Sequence, residues 1–180
     1  MKKIITIIAI LILTICNLSW AGMTFNDLTV NFDDLDKDTL LEDWEWLITK
    51  NKLPILITAS GDAFVQDVND MSIYFLDTID GQITKVADST DEFQELLINQ
   101  EFVVNHFSVQ MVGELKRQGK TLSKGQVYSF KKPLVLGGEY ELTNIELTDI
   151  EVHFSISGQI HNQVHALPDG SEIGDVSINR

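Results

Sequence analysis

The chain has 180 residues, 44% of them apolar, and a formal charge of −14. That apolar content supports a globular core and excludes global disorder, while the negative balance repels nucleic acid and anionic membrane and favours a basic partner. Cys16 is the only cysteine, so the residues after it hold no disulfide framework, cysteine nucleophile or thiolate metal site.

Residues 1–21 read as a secretory signal peptide. Lys2 and Lys3 form a positive end, Ile4 to Ile15 form an apolar run, and Ser19 and Ala21 are the small residues a signal peptidase reads. The run is short for a membrane span and no second one follows, so no membrane association is expected after cleavage. A lipoprotein would use Cys16, but bulky Ile15 precedes it. Losing this leader removes two lysines and no acids, taking the charge from −14 to −16. The expected location is periplasmic or secreted. The alternative is cytoplasmic, with translation starting at Met23.

Residues 22–37 are an acidic N-terminal extension, and residues 38–180 read as one α+β domain with a short C-terminal tail. From Asp27 to Glu45 there are eight acids against the single Lys37. Leu40, Leu41, Trp44, Leu47 and Ile48 recur at helical spacing, which turns an apolar stripe inward and the acids mostly outward. Acids near a helix start also suit its dipole, which accounts for Asp38 and Glu42 without any partner. Eight exceed that need. Asp33, Asp34, Asp36, Asp38, Glu42, Asp43 and Glu45 are therefore the candidate partner-binding residues.

After Pro54 the period shortens. "PILIT", "AFVQD", "SIYFL" and "QITKV" read as four strands; Asn69-Asp70 and Asp80-Gly81 supply the turns of an antiparallel meander that the first run joins. Ser89 and Glu92 form a capping box before "EFQELLI", and one helical stripe runs from Glu101 to Arg117 through Val103, Phe107, Met111 and Leu115 until Gly119 ends it. Lys116, Arg117, Lys120, Lys124, Lys131 and Lys132 then form a basic strip, read as internal counter-charge. "IEVHFSI" alternates as a strand would, yet the Thr148–Glu151 box and the stripe Ile150, Phe154, Ser157, His161, Val164 favour a helix stopped by Pro168 and Gly170. The expected fold is α+β: a small antiparallel meander of about four strands packed with three to four helices.

Chemical motifs are incomplete. "HNQVH" places His161 and His165 on one helical face, with His153 close to it, but Asn162 stands where a metalloprotease needs its glutamate. Ser60-Gly61-Asp62 lacks a nucleophile elbow, and Gly137-Gly138 lacks the lysine and hydroxyl of a phosphate loop. No catalytic residue, metal site or cofactor is expected.

"GDAFVQD", "SIYFLDTIDGQITKVADSTDEF" and above all "GQVYSFKKPLVLGGEYELTNIELTDIEVHFSISGQIHNQV" resemble the C-terminal domain of the Tdi family of type VI secretion immunity proteins, formerly a domain of unknown function. The resemblance covers roughly Leu40 to Pro168. It implies a non-enzymatic, antitoxin-like protein that binds and neutralises a cognate toxin or effector, a DNase in the best-known members. Immunity to a DNase belongs in the cytoplasm, against the export leader. The other reading is a periplasmic or envelope protein-binding module of unrelated role.

Overall fold

The computed structural model describes residues 23–168, 173–174 and 176–178, so the signal-peptide reading of residues 1–21 lies outside the described residues. The elements in chain order are α1 (Phe25–Leu28), β1 (Thr29–Val30), a 3-10 turn (Glu42–Trp44), α2 (Glu45–Ile48), β2 (Lys52–Thr58), β3 (Ala63–Asp67), β4 (Ile73–Asp77) and β5 (Gln82–Ala87). There follow α3 (Thr90–Leu97), α4 (Gln100–His106), α5 (Val109–Arg117), β6 (Gln126–Phe130), 3-10 turns at Leu134–Leu136 and Leu142–Asn144, β7 (Ile145–Asp149) and α6 (Ile150–His165).

The expected single sheet of about four strands with three to four helices is corrected here. Among the described residues there are two antiparallel sheets, of five and two strands, and six α-helices. The four expected runs become β2–β5. The fifth strand, β1, comes from the acidic N-terminal region, where Thr29 and Val30 pair with Thr58 and Ile57. Because β1 covers only that end of β2, Pro54 keeps its missing N–H on an open edge. The second sheet pairs β6 with β7, and its register sets Val127 against Thr148 and Tyr128 against Leu147.

Extra helices arise where a periodic stripe hides a break. The stripe expected over Glu101–Arg117 is split into α4 and α5 because Ser108 adopts φ 47°; Val103, Phe107 and Met111 keep their spacing across the kink. The acidic helix is shorter than expected, a 3-10 turn followed by the single turn α2. The helix expected near Thr148 exists, but Asp149 is its N-cap and Thr148 belongs to β7. The Ile150 N–H donates to the Gly125 carbonyl at 2.9 Å, which meets one of the unpaired donors of the helix start.

β3 is buried on both faces and divides the core. Phe64 faces Phe93, Phe102 and Phe107 of the α3–α5 side, whereas Ala63 and Val65 share a cluster with Trp44, Ile48, Ile150 and Phe154. The arrangement is therefore layered, with α3–α5 on one face of the sheet and α2 with α6 on the other. The β6–β7 ribbon spans both layers, Tyr128 and Ile145 entering the first cluster and Val127 the second. Phe25 and Leu28 of α1 are fully buried in the first.

Candidate partner-binding surface

The seven candidate acids do not form one uniform patch. Asp33, Asp34, Asp36, Asp38 and Glu42 are exposed, while Asp43 and Glu45 are half-buried. Asp33 pairs with Lys37 at 3.6 Å, Asp34 with Lys124, and Glu45 with Lys50 at 3.3 Å. No ion pair to Asp36, Asp38 or Glu42 occurs among the described residues; Asp36 instead accepts the Asp38 N–H at 3.1 Å. The basic strip is largely spent inside the molecule: Lys116 pairs with Asp27, Arg117 with Glu114, Lys120 donates to the carbonyls of Leu142 and Ile145, and Lys131 to that of Thr143. Burial alone would raise the Asp27 carboxyl, but Lys116 and the Thr24 donors hold it below the usual range.

Asp43 faces helix α6 instead of solvent. Its carboxylate accepts from Ser155 Oγ at 2.6 Å and from Gln159 Nε2 at 3.3 Å. Gly158 lies between those two residues, and a Cβ there would sit 2.6 Å from the Asp43 carbonyl oxygen. Only a glycine lets the 3-10 turn approach so closely. Rings complete the junction: Trp44 packs on His161 at 5.4 Å, Trp46 on His165 at 5.1 Å, and the two indoles stack at 6.0 Å. The acidic segment is thus clamped to α6 at its 42–46 end, while its 33–38 end stays on the surface. Sequence periodicity could not reveal this contact, because it joins residues more than a hundred positions apart.

The histidines go to separate partners. His153 is buried between Ser129 Oγ, 2.8 Å from Nδ1, and the Gly61 carbonyl, 3.0 Å from Nε2. His161 Nε2 lies 3.0 Å from the Thr78 carbonyl. Both rings rest on turns of the five-stranded sheet, where Gly61 (φ 90°) and Gly81 (φ 64°) leave them room. Burial lowers the His153 pKa to about 4 and lowers that of His161. Neutral rings suit a hydrogen-bonding role. Beside them Asp62, wholly enclosed, accepts from Ser60 Oγ at 2.9 Å and from the Thr78 N–H and Oγ1 at 3.0 Å each. Burial, then the nearby Asp77 charge, pushes its pKa up to about 7. No group of three or more His, Cys, Asp or Glu that could hold a metal occurs among the described residues, and no helix among them is long and apolar enough to cross a membrane.

A groove of about 770 Å³ runs between α5 and the 131–145 loop, floored by Val109, Met111, Phe130, Leu142 and Ile145. No motif pointed to it, since its walls come from segments whose residues read separately as helix stripe and turn.

A search of curated proteins finds no match to this chain. The chain is similar in fold to a crystal structure of Atu4351 from Agrobacterium tumefaciens, with a TM-score of 0.51 and 13% identity over 68% of this chain and 64% of that one. At that identity the likeness concerns the fold alone, and it spans less than two thirds of that protein. A family described as "T6SS immunity protein Tdi1, C-terminal" matches residues 87–161, which begin at the end of β5 and stop within α6. The segments "GDAFVQD" and "SIYFLDTIDG" and the acidic block fall outside that match. The C-terminal half of the chain is therefore similar to the C-terminal domain of type VI secretion immunity proteins of the Tdi1 kind.

Proposed function

We propose that this chain is a non-enzymatic immunity protein that binds a cognate basic toxin or effector of type VI secretion and neutralises it by direct contact. The observation that carries this reading is the family match over residues 87–161. Charge supports the choice of a basic partner: the chain is at −14, and Asp36, Asp38 and Glu42 lie exposed with no ion pair among the described residues. Asp33 and Asp34 extend that face; the Lys124 partner of Asp34 is exposed and can exchange for a cation of the toxin, whereas the Lys37 partner of Asp33 is half-buried over the Phe32 ring. A DNase, which needs a basic surface to hold phosphates, meets the requirement. The leader read at residues 1–21 favours export, and in the periplasm the partner would be a basic toxin that acts there, whereas a DNase partner goes with translation from Met23 and the cytoplasm.

The test is rescue. The product of the adjacent gene, expressed alone in a bacterial host and directed to the compartment it attacks, is expected to arrest growth, and co-expression of this chain to restore it, with the two proteins co-purifying. Growth arrest that persists despite soluble chain overturns the reading.

A further inference from the structure

The groove beside α5 has a built wall. On the loop side, the Asn144 side chain accepts from the Lys132 N–H at 3.0 Å and donates to the carbonyls of Lys132 and Glu139 at 2.9 Å each. Lys120 reaches across to the carbonyls of Leu142 and Ile145, both at 3.2 Å. Gly138 folds so tightly over Lys132 that a Cβ would overlap the Lys132 carbonyl oxygen. The loop's shape is thereby fixed by its own bonds, and its 142–145 end is tied to Lys120 just past α5, so the chain itself forms this wall of the cleft. At its mouth stands Tyr140, 59% exposed, with its ring 5.5 Å from that of Phe130.

The chemistry of the walls narrows the occupant. Small-molecule sites combine an apolar lining with a few free polar groups that orient the ligand. Here the cations are already committed, Lys116 to Asp27 and Arg117 to Glu114, while the floor is apolar. Such a cleft suits the apolar side chains of a protein segment. Charge selects the kind of segment: exposed Glu141 lies on the lip and exposed Glu139 next to it, neither ion-paired among the described residues. Except for Met23, every residue lining the groove falls within 87–161, the stretch that matches the immunity family, whereas the acidic block lies outside it.

We infer that this groove is a second contact for the toxin, receiving an apolar segment flanked by basic residues, with Tyr140 as its anchor. The inference rests on the immunity reading and divides the labour of binding: the acidic face speeds encounter, and the groove holds the complex. Exposed tyrosines set in apolar surroundings are frequent centres of binding energy, and interface anchors act mainly on dissociation.

The probe is the purified product of the adjacent gene, measured against the full chain by surface-based kinetics at two salt concentrations. Tyr140→Ala is expected to raise the dissociation rate at least about tenfold, leaving the association rate, its salt dependence and the thermal midpoint near those of the parent. Tyr140→Phe keeps the ring and should keep the slow dissociation. Glu141→Lys, far from the core, should slow association and provides an independent reading of the lip. If Tyr140→Ala and Glu141→Lys both bind like the parent while reversal of Asp33, Asp34, Asp36 and Asp38 slows association, the groove is not a contact and the immunity reading stands. If the parent itself does not bind the probe, both fall.

Discussion

Gly81 and His161 form a pair whose fit can be broken and restored. A Cβ on Gly81 would lie 2.3 Å from His161 Nδ1, and φ 64° already disfavours a side chain. Gly81→Ala is expected to lower stability by at least about 1–3 kcal/mol, the backbone strain alone accounting for that much. Adding His161→Ala should return the part due to the clash, so a double-mutant cycle by urea denaturation would show strong coupling. Asp62 and His153 set a pH dependence in the same region. The depressed pKa of His153, about 4, means that its contribution to stability is complete above about 6.5 and is lost as pH falls toward 4. The raised pKa of Asp62, about 7, works the other way: its contribution is present below about 3.8 and is lost as pH rises toward 7. The two slopes oppose each other between pH 4 and 6.5. His161, whose pKa burial also lowers, adds to the rising slope. Asp62→Asn removes the opposing slope, so the variant's stability should climb with pH across that window more steeply than the parent's, by about 1 kcal/mol per unit. Urea midpoints from pH 4 to 7 read the difference.

At the scale of elements, α6 carries the junction on which the acidic segment depends. Gly158 is costly in a helix by about 1 kcal/mol relative to alanine, yet here the missing Cβ allows the 3-10 turn at Glu42–Trp44 to touch α6. Gly158→Ala should therefore destabilise despite its better propensity, by about 1–3 kcal/mol, because overpacking against the Asp43 backbone outweighs the gain. Asp43→Ala tests the same junction from the other side, leaving Ser155 Oγ and Gln159 Nε2 without their carboxylate. Thermal melts compare the two. Leucine, tryptophan and isoleucine spacing made the inward face of residues 40–48 legible, but whether that face met the sheet, another helix or a partner was not encoded in its period.

For the whole molecule, the decisive property is segregated charge. Reversing Asp33, Asp34, Asp36 and Asp38 to lysine should slow association with a basic partner by roughly 10- to 10³-fold at low salt, and by less as salt rises. Thermal stability should hardly change, because these carboxylates are exposed and their ion pairs are screened by water. Reversal of Lys131 and Lys132 should slow association less or even speed it. Stopped-flow association at two salt concentrations separates the sets. Export is a molecular-scale expectation too: intact-mass measurement of the native protein should find Gly22 at its N-terminus, and a chain starting at Met23 or Thr24 would contradict it.

Composition, period and turn residues determined what depends on neighbours along the chain. They showed the negative balance, the four strands β2–β5, the Ser89 cap of α3, whose oxygen accepts from the Glu92 N–H at 3.2 Å, and a helix from Ile150. Those features follow from local backbone preference and from which face each side chain presents. The tertiary structure decided the rest. β1 is two residues long and β7 reads as a lead-in to α6, so neither carries a period of its own; each is a strand only because Thr58 or Tyr128 offers a partner edge. The break at Ser108 leaves the apolar spacing intact and so is silent in the sequence. His161 and His165, four apart, share one helical face by spacing, and only the fold gives them separate partners, the Thr78 carbonyl and the Trp46 ring. Asp43 counted as one of seven equivalent acids until α6 turned it inward. Each of these outcomes depends on residues brought together across the fold, where burial and hydrogen bonding outweigh local preference.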